Sequence, residues 1–416
     1  MNKAAQFGAL LLSATILLAG NGLQTTLLPL RAEAEAFSAL SIGVMGSSYF
    51  VGFVTGCLTA AALMRRVGHI RVFTGMAAIA SVIPLIHILA LNEWSWWLLR
   101  AGTGYCIASL FLVIESWLNE RSDNTIRGAV FSIYTSLTFI AIITGQVLLT
   151  LYEPTGFAPF VLASIVISLA AVPVALNAII APGPPLRSRL RPLKLMRLSP
   201  AGTAGCLTAG LVSGAFWSLA PVAASNAGLD ARGVAIFIGV TVFGGALSQW
   251  PFGRLSDRLD RRVVIVVASV LASAAGFLLF LATQHWSTAV LPLAFAFGAF
   301  TFPIYALSVA HANDLITEES FVEVSGGLLF LNGAGAVVGP LAGGLAMRMA
   351  GPGALFVAIA IACFLLAVFV VVRMRKVARP PEMHRADSVA AVDAGITAPV
   401  SFDPRAEPTD SGTGSR

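Results

Sequence analysis

Two charged residues stand well inside long apolar stretches of this sequence, where a charge is costly and is usually kept for a function. They are Arg100 and Glu115. A buried arginine can anchor an anion or carry a coupling charge, and a carboxylate whose surroundings change can bind and release a proton. Arg100 closely follows a group of tryptophans, so its long side chain could instead reach the nearest polar surface. Fifteen positions separate the two residues, about 22 Å along a helix, so they cannot pair directly.

Uncharged polar residues form a second group of candidates. Asn21, Gln24 and Thr25 follow the spacing i, i+3, i+4 and therefore share one face of a helix. Such a face can line a pore, or it can hydrogen-bond to neighbouring helices and hold them together, and the sequence leaves both interpretations open. Three further residues are predicted to contribute to a polar cavity wall: Tyr134, Gln146 and Asn332.

Transmembrane helices must position these residues. Hydrophobic residues make up 57% of the 416-residue chain and charged residues 11%, and the mean hydropathy of +0.85 excludes an ordinary soluble domain. A helix that spans a bilayer needs about 20 mostly apolar residues. The sequence contains about twelve such runs, near 7–30, 39–63, 70–91, 96–118, 128–150, 158–180, 201–224, 232–252, 263–282, 288–310, 325–347 and 353–372. The predicted fold class is an all-α membrane protein with about twelve transmembrane helices.

The chain repeats itself at an offset of 192 to 194 residues. Gly22 corresponds to Gly214 and Gly145 to Gly339. The repeat predicts an N-terminal six-helix half (1–181), a basic linker (182–200), a C-terminal six-helix half (201–373) and a disordered tail (374–416). Parallel repeats of this kind imply a binding cavity between the halves. Trp217 and its neighbour Phe216 occupy the place that corresponds to the polar face of the first helix, which predicts an aromatic wall opposite that face.

Basic residues mark one side of the membrane. The formal net charge is +6, but the positive residues collect in the even-numbered connections, in the linker and near both ends of the predicted helical region rather than in a nucleic-acid-binding patch. By the positive-inside rule this distribution makes the linker and both termini cytoplasmic. We therefore expect a multi-pass protein of the inner (plasma) membrane.

One stretch, 249–262, concentrates six charges between two predicted helices, and we call it the signature segment. It is predicted to be a tight loop, and its Gly-x-x-x-Asp-Arg-x-x-Arg-Arg pattern is carried by Gly253, Asp257, Arg258, Arg261 and Arg262. This pattern resembles the signature loop of the major facilitator superfamily of secondary transporters, with Asp260 where that loop usually has glycine. The resemblance implies that Asp257 lies against the N-terminus of a helix in the other half, here the helix that opens near Gly128.

Further motifs resemble the same superfamily. Arg100 and Gly104 match its Arg-x-x-x-Gly element. A glycine-rich element in the eleventh predicted helix, which in antiporters occupies the fifth, is expected to mediate close helix packing through Gly335, Gly339, Pro340, Gly343 and Gly344. With the motifs around Glu115, Tyr134 and His311, the chain resembles the YcaD-like branch of bacterial transporters from Phe7 to about Arg373.

Charges at the cytoplasmic ends of the helices are predicted to form a gate. Glu115 and Asp314 are the candidates for coupling or gating, and solvated loop charge is the alternative. The predicted network also includes Glu120, Arg121, Arg127, Glu318, Glu319 and Glu323.

The sequence shows no constellation typical of an enzyme, no metal-binding spacing and no nucleotide-binding motif, so neither a cofactor nor a metal is expected. We predict a monomeric secondary transporter that moves a small organic solute by alternating access, with protons as the coupling ion. Its expected partners are an unidentified small-molecule substrate and the lipid bilayer, and no nucleic acid. The alternative is a membrane sensor or lipid-handling protein that keeps the transporter fold without transport.

Overall fold

A computed structural model describes residues 3–122, 124–176, 196, 198–314 and 321–376. Within these ranges the regular structure is helical. The α-helices are α1 (Lys3–Ala34), α2 (Ala39–Val67), α3 (His69–Leu89), α4 (Glu93–Arg121), α5 (Asn124–Leu149), α6 (Ala158–Leu169), α7 (Ala171–Leu176), α8 (Pro200–Asn226), α9 (Ala231–Arg258), α10 (Arg261–His285), α11 (Val290–Thr301), α12 (Pro303–Asn313), α13 (Phe321–Ala350) and α14 (Ala354–Lys376). They supply 12 segments long and apolar enough to cross a bilayer, which confirms the predicted fold class.

Two of the twelve spans are interrupted. The sixth span consists of α6 and α7, which are separated at Ala170, and the tenth consists of α11 and α12, which are separated at Phe302. Pro303 is the first residue of α12. Because proline has no backbone N–H, it removes the hydrogen bond that would continue α11, and it is well tolerated as the first residue of a new helix.

The signature segment is mostly helical, which corrects the prediction that it is a loop. Gly253, Asp257 and Arg258 belong to α9, and Arg261 already begins α10, so only two residues connect the helices. Asp260 is the N-cap of α10, where its side chain accepts a hydrogen bond from the Arg262 amide at 2.9 Å. A carboxylate at a helix N-terminus satisfies a free amide and opposes the helix dipole. Aspartate at this position therefore stabilises the start of α10.

The sequence repeat reappears in the packing of the helices. Gly22 of α1 lies against the backbone of Ile142 in α5, and Gly214 of α8 lies against the backbone of Ala336 in α13. Likewise, Gly52 of α2 meets Ala101 of α4, and their counterparts at offsets of 192 and 194, Gly244 of α9 and Phe295 of α11, meet in the same way. The glycines shared by the halves are thus the points where helix backbones approach each other closely.

The two halves pack together mainly through α2 against α13, with further contacts of α1 and α2 with α8 and of α5 with α9. We call the end of the bundle where α8 begins the linker side, and the opposite end the distal side. Contacts between α2 and α13 lie near the distal side, where Gly43 meets Pro340 and Ala39 meets Gly344. Within the described ranges, α4 makes no comparable contact with α12 or α13. The distal side therefore holds the closest backbone contacts between the halves among the described residues.

Most of the predicted linker and tail falls outside the described residues, namely 182–195, 197 and 377–416. Pro200, the last residue of the predicted linker, is already the first residue of α8.

Candidate functional site

A cavity lies between the two halves, with about 430 Å³ of empty space that includes its opening to solvent. Its lining residues are Leu18, Asn21, Gly22 and Thr25 of α1, Tyr49 and Phe50 of α2, Arg100 of α4, Ile142 of α5, and Trp217 and Ser218 of α8. Along their helices, Arg100 lies seven residues and Tyr49 ten residues from the distal end, or about 10 to 15 Å at 1.5 Å per residue. This depth places the cavity near the middle of the membrane.

Arg100 carries the charge of the cavity. Its side chain is only 5% exposed, which favours the cavity-facing interpretation over extension to a polar surface. The guanidinium carbon lies 4.5 Å from the centroid of the Tyr49 ring. A cation–π contact contributes about 2 kcal/mol when desolvated, whereas burial costs an ion several kcal/mol, so Tyr49 alone does not offset the burial of this charge. Nε and Nη1 of Arg100 have no hydrogen-bond partner within the described residues.

The α1 wall of the cavity contains two of the three predicted polar residues. Asn21 and Thr25 line the cavity, and the Thr25 hydroxyl donates to the backbone carbonyl of Asn21 at 2.8 Å. Asn21 Oδ1 is buried and has no hydrogen-bond partner in the described part of the chain. Gln24 is buried on the same helix but does not line this cavity. Of the three residues on this helix face, Asn21 and Thr25 thus form a polar wall of the cavity, and Gln24 lies outside the lining.

The opposite wall is aromatic. Trp217 lies 5.3 Å from Phe216 and 6.2 Å from Phe302, measured between ring centroids. Its indole Nε1 is buried and has no acceptor among the described residues. At the repeat offsets, Arg100 corresponds to Ala294 and Tyr49 to Thr241. The charged group of the cavity therefore belongs to the N-terminal half, and the C-terminal half contributes Trp217 and Ser218 to the lining.

Two residues predicted for the cavity wall instead join helices within one half. Gln146 accepts a hydrogen bond from the Thr26 hydroxyl at 2.8 Å and donates to the Gly22 carbonyl at 3.1 Å, which links α5 to α1. Asn332 donates to the Cys206 carbonyl at 3.2 Å and links α13 to α8. Neither lines the cavity.

Glu115 and Tyr134 form a buried pair between α4 and α5. Glu115 is 2% exposed, and the Tyr134 hydroxyl donates to its Oε1 at 3.5 Å. Both residues lie toward the linker side and outside the lining of the cavity. Tyr134 is therefore a neighbour of the carboxylate rather than a wall of the cavity.

A charge cluster joins the signature segment to the end of α12. Arg261 Nε donates to Asp314 Oδ2 at 2.6 Å, and Arg261 also lies 3.7 Å from Asp257. Arg262 pairs with Asp260 at 2.8 Å. Burial by itself would raise the pKa of Asp260, but the hydrogen bonds and positive charge of Arg262 outweigh that effect, so the pKa is lowered. The other predicted gate side chains, Glu120, Arg121, Arg127, Glu318, Glu319 and Glu323, lie outside the described side chains.

Comparison with known proteins agrees with this architecture. Residues 202–405 match the family model of the Major Facilitator Superfamily. The chain is 26% identical over 379 residues to the Uncharacterized MFS-type transporter YcaD of Escherichia fergusonii, which covers 89% of this chain and 97% of that protein. The chain is similar to members of the major facilitator superfamily along most of its length. Two solved structures share the superfamily fold. The nucleoside transporter NupG is 14% identical with a TM-score of 0.71, and the match covers 90% of this chain and 100% of that one. A bacterial homologue of the human lysosomal transporter Spinster, in an inward-facing and occupied conformation, is 15% identical with a TM-score of 0.72, and the match covers 91% of this chain and 98% of that one.

The glycine-rich element that resembles the superfamily motif has two faces in α13. Gly335 and Gly339 lie against the backbone of α8, and Gly343 lies against Leu219 of the same helix. Pro340 and Gly344 face α2 of the other half. One face of α13 thus holds its own half together, and the other forms the contact between halves.

Sequence reasoning missed three residues that the superfamily fold brings into important positions. Tyr49 lines the cavity, and its ring lies against the guanidinium of Arg100. Its position could have been inferred, because Arg100 and Gly104 share the helix face that meets α2. At the distal end, the Asn226 side chain donates to Glu33 Oε1 and so bridges α8 and α1. Nothing in the sequence indicated this contact between the halves.

Proposed function

We propose that this chain is a secondary active transporter that moves a small organic solute across the inner membrane by alternating access. The observation that carries the proposal is a cavity between the halves whose buried polar atoms, on Asn21, Arg100 and Trp217, lack partners in the described part of the chain. Buried polar groups in proteins are usually satisfied. A bound solute that satisfies them explains their placement between the halves.

The contacts at the distal side suit a gate that opens and closes. Gly43 and Gly46 of α2 fit against Pro340 and Ser218 of the other half with no room for a larger side chain. The hydrogen bond between Glu33 and Asn226 crosses the same end. In this proposal the linker side is cytoplasmic, so these contacts form the periplasmic seal, and rocking of the halves exposes the cavity to each side in turn.

We assign the proton-coupling role to Glu115. Its only hydrogen bond among the described residues is the long one from Tyr134. A rearrangement of α4 and α5 that changes the solvent access of this carboxylate would change its affinity for a proton. Proton binding and the position of the halves would then be linked.

Reconstitution into proteoliposomes tests this function. A solute panel is first screened on a deletion strain, and uptake of the hit is then measured under an imposed pH gradient. We expect Glu115→Gln to abolish gradient-driven accumulation while exchange of labelled for unlabelled solute continues. Glu93→Gln, which changes an acidic residue in the first turn of the same helix, is the matched control.

Two outcomes would count against the proposal. Unchanged accumulation in Glu115→Gln would remove this residue from the coupling step. If no solute in a broad panel crossed the membrane, the non-transporting alternative, a sensor or lipid-handling protein, would be favoured.

A further inference from the structure

The charge and the lining of the cavity together identify a class of solute. We propose that the cavity binds a small organic monoanion, whose carboxylate pairs with Arg100 and whose ring-shaped apolar body packs against Trp217. This inference rests on the proposed function for its site, and it names the substrate class that the transport proposal leaves open.

The anion follows from the unbalanced charge of Arg100. Among the described lining residues Arg100 is the only charged one. The Tyr49 ring covers a face of the guanidinium, but a ring face does not satisfy the N–H groups, which point outward in the guanidinium plane. Nε and Nη1 therefore remain available for an acceptor, and a carboxylate is the acceptor that arginine binds most strongly. Because Arg100 has no carboxylate partner among the described residues, its single positive charge matches a solute with one negative charge.

The apolar body follows from the rest of the lining. Leu18, Phe50 and Ile142 present hydrocarbon surface, and Trp217 presents an indole ring from the opposite half. Apolar walls with a few convergent polar groups are typical of sites for small organic molecules rather than for inorganic ions. The unpaired Asn21 Oδ1 additionally offers an acceptor for a hydroxyl or amide group on the solute.

The two recognition elements come from different halves of the protein. Arg100 lies in the N-terminal half and Trp217 in the C-terminal half. Because the counterpart of Arg100 in the repeat is Ala294, this position of the C-terminal half offers no equivalent anchor for a second anion. The geometry therefore predicts one anion per chain, held between the halves.

Equilibrium binding of radiolabelled benzoate to the purified full-length protein in detergent tests this inference. Benzamide, which has the same ring but no charge, and benzylamine, which is cationic, serve as competitors. We expect saturable benzoate binding at one site per chain, with benzamide and benzylamine competing at least about tenfold more weakly, because loss of a charged hydrogen bond typically costs that much affinity.

The variants separate the role of Arg100 from a general effect of positive charge. Arg100→Gln should remove the preference for benzoate over benzamide. Arg254→Gln should keep it, because Arg254 also stacks on a tryptophan, Trp250, at 4.2 Å but lies exposed on α9, away from the cavity. If Arg100→Gln does not fold, the comparison of the three probes on the parent protein still decides the question.

Equal competition by benzamide, or no benzoate binding to the parent protein, would overturn the inference. These outcomes are distinguishable from failure of the transport proposal, since the assay requires no membrane and no gradient. Benzoate binding without flux in proteoliposomes would refute transport and leave the anion site intact. Flux of a neutral or cationic solute without benzoate binding would refute the anion site and leave the transport proposal intact.

Discussion

Arg261 and Asp314 form a short ion pair, 2.6 Å between Nε and Oδ2, that ties the start of α10 to the residue that ends α12. The arginine side chain is 3% exposed and the carboxylate 14%. Both residues belong to the C-terminal half. The pair therefore fixes the signature segment to its own half.

Removal of one partner of this pair should destabilise the protein. We expect Asp314→Asn to lower the free energy of unfolding in detergent by about 1 to 3 kcal/mol, because it removes the shortest charged hydrogen bond of a buried arginine. Glu35→Gln, in the i,i+4 pair with Arg31, is the control and should cost about 0.5 kcal/mol or less. A double-mutant cycle with Arg261→Gln that shows no coupling energy would contradict this assignment.

A bulky residue in the distal seal should hold that end open. Gly43→Leu places a side chain where the carbonyl of Pro340 now lies. We expect spin labels on the distal ends of α1 and α8 to show an added population at longer distances. The matched variant Gly75→Leu has open space around the new side chain and should leave the distances unchanged. Identical distributions in Gly43→Leu and the parent protein would argue against the seal.

The aspartate of the signature segment should influence the same equilibrium. If Asp257 lies against the N-terminus of α5, Asp257→Asn removes a charge–dipole interaction of about 0.3 to 2 kcal/mol. We expect this change to shift the equilibrium between open states toward the linker-side-open state by about two- to thirtyfold. Distances between spin labels across the linker side provide the measurement. Identical distance distributions in Asp257→Asn and the parent protein would disprove the contact between Asp257 and α5.

The lowered pKa of Asp260 predicts an acid-dependent loss of stability. A carboxylate with a lowered folded-state pKa stabilises the protein above its unfolded pKa, which is about 4, and loses this contribution as the pH falls through the folded-state value. The melting temperature of the parent should therefore exceed that of Asp260→Asn by a constant amount from pH 8 to about pH 5. The difference should shrink below about pH 4. Arg262→Gln should weaken this pH dependence, because it removes the side-chain bonds and the charge of Arg262 but keeps the backbone amide bond to Asp260.

Topology can be tested by cysteine labelling in intact cells. The basic linker is expected to be cytoplasmic, so a cysteine at Ser188 should react with a membrane-impermeant maleimide only after lysis. Thr288→Cys, at an exposed position on the distal side, should react before lysis. Reaction of the linker cysteine in intact cells would show that the inferred orientation of the whole protein is wrong.

The sequence by itself determined the twelve spans and the two halves. Hydropathy alone specifies which segments enter the bilayer, since about 20 apolar residues are needed and few polar ones are tolerated there. The repeat of glycines such as Gly22 and Gly214 predicted equivalent helix contacts, because only glycine permits such close backbone approach. Arg100 likewise stood out from its position in an apolar stretch, because a charge buried in a membrane is costly.

Only the tertiary structure decided which polar residues meet. Asn21 and Gln146 look alike in sequence as polar residues within apolar helices, yet Asn21 lines the cavity while Gln146 bonds to Gly22 and Thr26. Tyr49 reaches Arg100 only because α2 and α4 pack in one particular register. The rotation and register of each helix are set by contacts with its neighbours, which a single helix's sequence does not contain. For the same reason, the contacts between the halves at the distal side and the pairing of Glu33 with Asn226 emerged only from the packed bundle.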